Sequence, residues 1–184
     1  MVIYCISNIP HEEFMALSRI TEDRYRKVIG LYFNWKALNA GIKEDFTRGV
    51  NLPEAITEPI CCYVNGFMHS LGEGSEDAVD PRTGSKVQIK ATSNFWSDLT
   101  SFGPQSEFDE LHFVRLNQEE DKMYLYYIPV NQLANVYVNA GETFADQQYQ
   151  GRRPRFSIIN KYILPDSIEP YAIVDLNTTE IERL

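Results

Sequence analysis

The hydrophobic period of this chain changes along its length, and that change limits the fold more than any other feature. Over residues 11–38, apolar side chains recur at steps of three and four: Phe14, Leu17, Ile20, Tyr25, Val28, Ile29, Tyr32, Phe33 and Trp35. The spacing predicts a helix, with Gly30 as an interruption and Asn39, Ala40 and Gly41 as its end. A second helix is expected after residue 50. Asn51 or Thr57 would cap it, and Pro53 or Pro59 would occupy its first turn. Ile56, Ile60 and Val64 would face a core, and Gly66 or Gly72 would close the segment. From residue 86 the period drops to two. Lys86, Gln88 and Lys90 alternate with Val87, Ile89 and Ala91, so the second set should face a core. Turn residues at 81–85 make 77–92 a predicted β-hairpin. Further strands are expected at 111–116 and 123–128 around a polar turn. Short strands or helices are expected at 133–138 and 156–159, a helix at 142–150, and an edge strand at 171–174. The order predicts a single mixed α/β domain of 184 residues: an N-terminal helical region at 1–45, a core at 46–160, and a C-terminal edge segment at 161–184.

Charge and cysteine usage bound the function. A net charge of −9 argues against polyanion binding driven by bulk charge, but a cleft responds to its own walls rather than to the sum. Cys5, Cys61 and Cys62 form no C-x-x-C pair, so neither a zinc knuckle nor a disulfide framework is indicated; Cys61 and Cys62 lie in the apolar run ICCYVNGF and read as core. The first residues lack the basic lead of a signal peptide, and no apolar run approaches the roughly 18 residues of a membrane span. The expected setting is a reducing cytoplasm with no membrane partner. His11, His69 and His112 are scattered. No nucleophile elbow, phosphate-binding loop or zinc-protease motif is present.

The hairpin carries the candidate chemistry. Gln88 and Lys90 are two apart on a strand and leave the same face, and the turn folds Asp77 back beside Gln88. One carboxylate, one amide oxygen and one ammonium then converge. A hard divalent cation such as Mg2+ needs few protein groups because it keeps much of its water shell. Asp77 would be its carboxylate ligand, Gln88 would offer its oxygen or position a water, and backbone carbonyls near Ile89 would complete the donors. Lys90 would orient the attacking water and offset charge in a pentavalent phosphoryl transition state. Glu58 on the preceding helix is the preferred further acid, with Glu54 next. Asp80 competes with Asp77, but its place before Pro81 marks it as the residue that starts the turn.

The stretch GSEDAVDPRTGSKVQIKAT over residues 74–92 resembles the core of the PD-(D/E)XK nucleases: an acid, a hairpin turn, then an acid-x-Lys strand. Asp77 matches the first acid and Lys90 the lysine. Gln88 departs from the pattern, where Glu or Asp is usual, and this leaves one- and two-metal schemes both open. Together with residues 48–58, 90–96, 98–104, 111–116 and 150–157, the chain is similar to a small group of type II restriction endonucleases that cut interrupted palindromes of the GC-N-GC kind. The similarity covers roughly residues 45–160, so 46–160 would be the catalytic and DNA-recognition core. It implies a restriction-endonuclease-like fold, Mg2+ as cofactor, double-stranded DNA as substrate and a homodimer reading a two-fold symmetric target. A cognate DNA methyltransferase would belong to the same system without forming a complex.

Arg152, Arg153 and Arg155 form the one dense basic patch; arginine is the usual bidentate partner of guanine, so one is expected on guanine and the others on phosphate. Ser93, Asn94 and Trp96 follow the candidate catalytic strand and should lie at its DNA-facing edge, with Trp96 expected more as a core residue than as a reader of bases. Thr100, Ser101 and Gln105 are expected phosphate contacts; Gln147 and Gln148 are weaker candidates for bases. Two other readings compete: a structure-specific repair nuclease on the same fold, and an acidic, non-catalytic binding or regulatory module.

Overall fold

A computed structural model describes residues 17–72 and 76–184. Cys5, His11, Phe14, the first residues of the expected N-terminal helix, and Gly74 and Ser75 of the motif lie outside the described residues. Eight strands form one sheet in the order β1-β2-β3-β4-β6-β7-β9-β10, and β5 and β8 form a separate ribbon. The strands are β1 (Leu17–Arg19), β2 (Met68–Ser70), β3 (Ala78–Val79), β4 (Lys86–Thr92), β5 (Thr100–Ser101), β6 (Glu110–Asn117), β7 (Lys122–Ile128), β8 (Arg155–Phe156), β9 (Ala172–Asp175) and β10 (Ile181–Arg183). Within the large sheet β4 and β6 run parallel, with Lys90 beside Phe113, and all other pairs are antiparallel. The result is a mixed α/β fold with a large mixed sheet between helical layers.

The first helix, α1, spans Glu22–Asp45, later at both ends than its hydrophobic period suggested. Thr21 caps it by accepting from the Arg24 N–H, and residues 17–19 form β1 instead of helix. Gly30 does not interrupt α1, because its position is exposed and the surrounding turns hold. Tyr32 and Lys36 both donate to Asp121 at 2.5 Å, tying α1 to the β6–β7 turn. The second helix, α2, spans Glu54–Asn65, with Pro53 at its N-cap and Gly66 at φ 74° closing it. Neither Asn51 nor Thr57 caps it; Thr57 is buried.

The sheet separates two apolar layers. On one side Val87 and Ile89 of β4, with Val114, Leu116, Met123 and Leu125, pack beneath α1 and α2. Cys61 and Cys62 are buried there as free thiols. On the other side Leu111, Phe113 and Ile128 meet Phe102, Phe144, Phe156 and Ile159. That layer is covered by the β5–β8 ribbon, by α3 (Phe144–Tyr149), and by short helical turns at Leu133–Asn135 and Ile159–Ile163. A capping box between Thr143 and Asp146 starts α3.

Three local expectations change. Ala91 is exposed, because the helical layer ends before it. Residues 156–159 divide between β8 and a helical turn, since Asp98 accepts from the N–H groups of Ile158 and Ile159 and opens a helical start there. The 171–174 stretch lies inside the sheet as β9, because β10 adds outside it. Among the described residues, no helix is long and apolar enough to cross a membrane.

Candidate active site

β3 is two residues long and covers only the start of β4, so the β4 backbone outruns this partner. Asp77 fills the gap. Its N–H donates to Val87 O at 3.0 Å, while its side-chain Oδ2 accepts from the Ile89 N–H at 2.6 Å and from the Gln88 amide. The carboxylate thus replaces a missing strand acceptor, and that fixes its direction. Gln88 is buried at 3% exposure, and Lys90 is half-buried with its Nζ 5.9 Å from the Phe102 ring centroid.

Glu58, one α2 turn beyond exposed Glu54, brings a second negative charge. Burial pushes the Asp77 carboxyl up to about 6; the charge of Glu58 pushes the same way, and the Lys90 ammonium opposes it. The poorly solvated Asp77 carboxylate therefore feels one like charge and one opposite charge. Glu58 Oε2 also lies 3.0 Å from His69 Nε2, and His69 Nδ1 is buried with no hydrogen-bond partner among the described residues. Local residue pattern offers no signal for this pair, because β2 is only three residues long.

The donor chemistry suits a small hard cation. Asp77 and Glu58 would supply carboxylate oxygens, Gln88 an amide oxygen once its side chain turned, and Ile89 a backbone carbonyl. Among the described residues no group of three or more His, Cys, Asp or Glu could hold a metal ion.

Asp80 does not compete for this role. It is buried in the turn, accepts from the Arg82 backbone and guanidinium, and those bonds hold its carboxyl below the usual range.

The ribbon brings part of the basic patch to the same wall. Ser101 pairs with Arg155, and the Phe102 N–H donates to Pro154 O at 3.0 Å. Arg153 and Arg155 are exposed and make no ion pair among the described residues. Arg152 instead bonds Glu142 and Gln150. Asn94 is exposed and Ser93 half-buried; the Asn94 side chain accepts from the Trp96 N–H. Gln105 is exposed, whereas Thr100 is buried and donates to Asp98 at 2.6 Å. The Ser101 hydroxyl is buried without a partner among the described residues. Gln148 holds the 103–106 turn through Gly103 O, and Gln147 donates to Glu142. Trp96, expected in the core, is 80% exposed.

The profile of the Bsp6I restriction endonuclease family matches residues 20–165. The chain belongs to that family. It is 45% identical over 168 residues to the type II restriction enzyme Bsp6I of Bacillus sp. (strain RFL6), an alignment covering 90% of this chain and 96% of that enzyme. Within the Bsp6I family frame, the Asp77 corner is the candidate active site.

Proposed function

We propose that this protein is a magnesium-dependent type II endonuclease that hydrolyses phosphodiester bonds in double-stranded DNA at a short GC-containing palindrome of the GC-N-GC kind. The family supports site-specific DNA cleavage. The observation that supports this chemistry is the Asp77 carboxylate bonded to the Ile89 N–H and the Gln88 amide where β3 ends, with the charges of Glu58 and Lys90 acting on it. Asp77, Gln88, the Ile89 carbonyl and Glu58 would hold the cation. Bound there, Mg2+ would polarise the scissile phosphate and lower the cost of its developing charge. Asp77 is aimed by the Ile89 N–H and does not have to be reoriented during the reaction. Lys90 lies on the same face of β4, where its ammonium orients the attacking water and offsets negative charge on the phosphoryl group. The strand arrangement resembles a PD-(D/E)XK core with an amide at the second acidic position.

Arg153 and Arg155 are free to meet DNA, one on guanine and the other on phosphate, and Arg152 joins them on release from Glu142. Ser93, Asn94 and Gln105 line the remaining edge. Thr100 and Ser101 act by holding the ribbon more than by direct contact, because their hydroxyls are enclosed. A two-fold symmetric target calls for a homodimer, one active site per strand.

The test is a digest of phage DNA with Mg2+, with EDTA, and with Asp77→Asn protein. Discrete fragments whose ends share one palindrome, lost under the other two conditions, are the expected result. Cleavage confined to branched DNA, or none at all, would refute it.

A further inference from the structure

Trp96 is the most unusual side chain in the loop that leaves the catalytic strand. It is exposed, yet the backbone beneath it is tightly held. Thr92 Oγ1 donates toward Asn94 O and Ser97 O at 3.2 and 3.1 Å, and accepts from the Asn94 N–H. The Asn94 side chain accepts from the Trp96 N–H at 3.0 Å. Gln118 donates to Ser93 O at 2.5 Å. Beneath the loop lies Arg115, buried on β6. Its guanidinium donates to Phe95 O from both Nε and a terminal nitrogen, donates to the Tyr126 hydroxyl, and stacks 4.2 Å from the Phe95 ring centroid. Phe95 in turn meets the Trp96 ring edge-on at 5.1 Å. A large apolar ring ordinarily retreats from water; here a buried cation and the side chains of Thr92, Asn94 and Gln118 hold the backbone so that the ring stands out.

We propose that Trp96 is a DNA-contacting residue whose indole stacks on a base of the duplex held at the Asp77–Lys90 site. This rests on the endonuclease reading above. In a duplex a base shows its face only where a step is opened, and an indole wedged there replaces part of the lost stacking; a pre-ordered ring also loses little entropy on contact. The occupant follows from position: Trp96 lies six residues beyond Lys90 and four before β5, whose partner strand carries exposed Arg155. Arg115 is a positioning residue that sets the height of the ring through Phe95.

The two tryptophans make the proposal measurable. Trp35 is 5% exposed, with its indole N–H donating to Val50 O and Asn51 O, so collisional quenching reports Trp96. Acrylamide quenching is followed in the full chain, with calcium replacing magnesium, as a 30-base-pair duplex spanning a mapped cut site is added. The expected result is that quenching falls to the level of Trp96→Phe protein. Trp96→Ala should loosen DNA binding about 10–100-fold, with Trp96→Phe recovering most of it. Wild-type protein that binds and cuts DNA while Trp96 stays open to acrylamide overturns the proposal and leaves the endonuclease reading intact. So does a Trp96 already shielded before DNA is added, which would mark a contact between two copies of the chain. Failure of wild-type protein to bind or cut any DNA overturns both.

Discussion

On one side of β4, Val87 and Ile89 are sealed beneath α1 and α2; on the other, Gln88 and Lys90 stand among charged and aromatic groups. The two sets alternate along seven residues of one strand, so they share backbone, register and neighbours. The helical side spends its residues on burial, where shape and volume decide the energy. The opposite side accepts a cost: a carboxylate is held where water is scarce, beside a second one. A strand can do both because its side chains alternate, so a rigid apolar face can support a strained polar one.

Breaking the polar side should give the largest effect. Lys90→Ala is expected to lower cleavage by about 10³-fold or more, equivalent to about 4 kcal/mol of transition-state stabilisation, with unchanged circular dichroism. Cleavage at the wild-type rate would remove Lys90 from the chemistry. The apolar side should fail in the opposite way. Ile89→Ala is expected to cost about 2–4 kcal/mol in urea unfolding, through lost burial and a cavity, while cleavage well below the melting temperature survives. Its backbone N–H, which aims Asp77, is retained. If activity vanished with stability intact, the two faces would not be separable.

The third test sharpens the contrast. Burial and the charge of Glu58 push the folded Asp77 carboxyl up to about 6, whereas an unfolded aspartate titrates near 3.9. The folded chain therefore holds the proton more tightly. The stability this supplies is complete below about pH 4 and is lost as pH rises through about 6. At pH 7.5 without divalent cation, Asp77→Asn should thus stabilise the protein by about 1–2 kcal/mol, a gain that disappears near pH 4 and that accompanies loss of cleavage. A thermal melt at both pH values decides it; destabilisation at pH 7.5 would mean that the carboxylate's hydrogen bonds outweigh its burial. The smallest effect lies far from the site. Gly30 is exposed in α1 with nothing within 4 Å of an added Cβ, so Gly30→Ala should stabilise by about 0.5–1 kcal/mol and leave cleavage unchanged.

Much of this arrangement was legible in residue order. Alternation over residues 86–90 named the strand, turn chemistry named the hairpin, and both placed Asp77 opposite Gln88. Where periods were short or masked by loops, local pattern had nothing to offer. Residues 17–19 carry helical spacing but pair with β2, because an edge position in the sheet was open to them. Trp96 looked like core by its chemistry alone, yet Arg115, more than a dozen residues away, fixes the loop that exposes it.

By itself the sequence determined the two faces of β4, because side-chain alternation is local and needs no partner. Only the tertiary structure decided that Glu58 stands beside Asp77, that His69 pairs with Glu58, and that Arg155 shares the ribbon bordering Lys90. Those neighbours come from different elements, and the sheet order that joins them is set by packing across the whole domain rather than by any one segment.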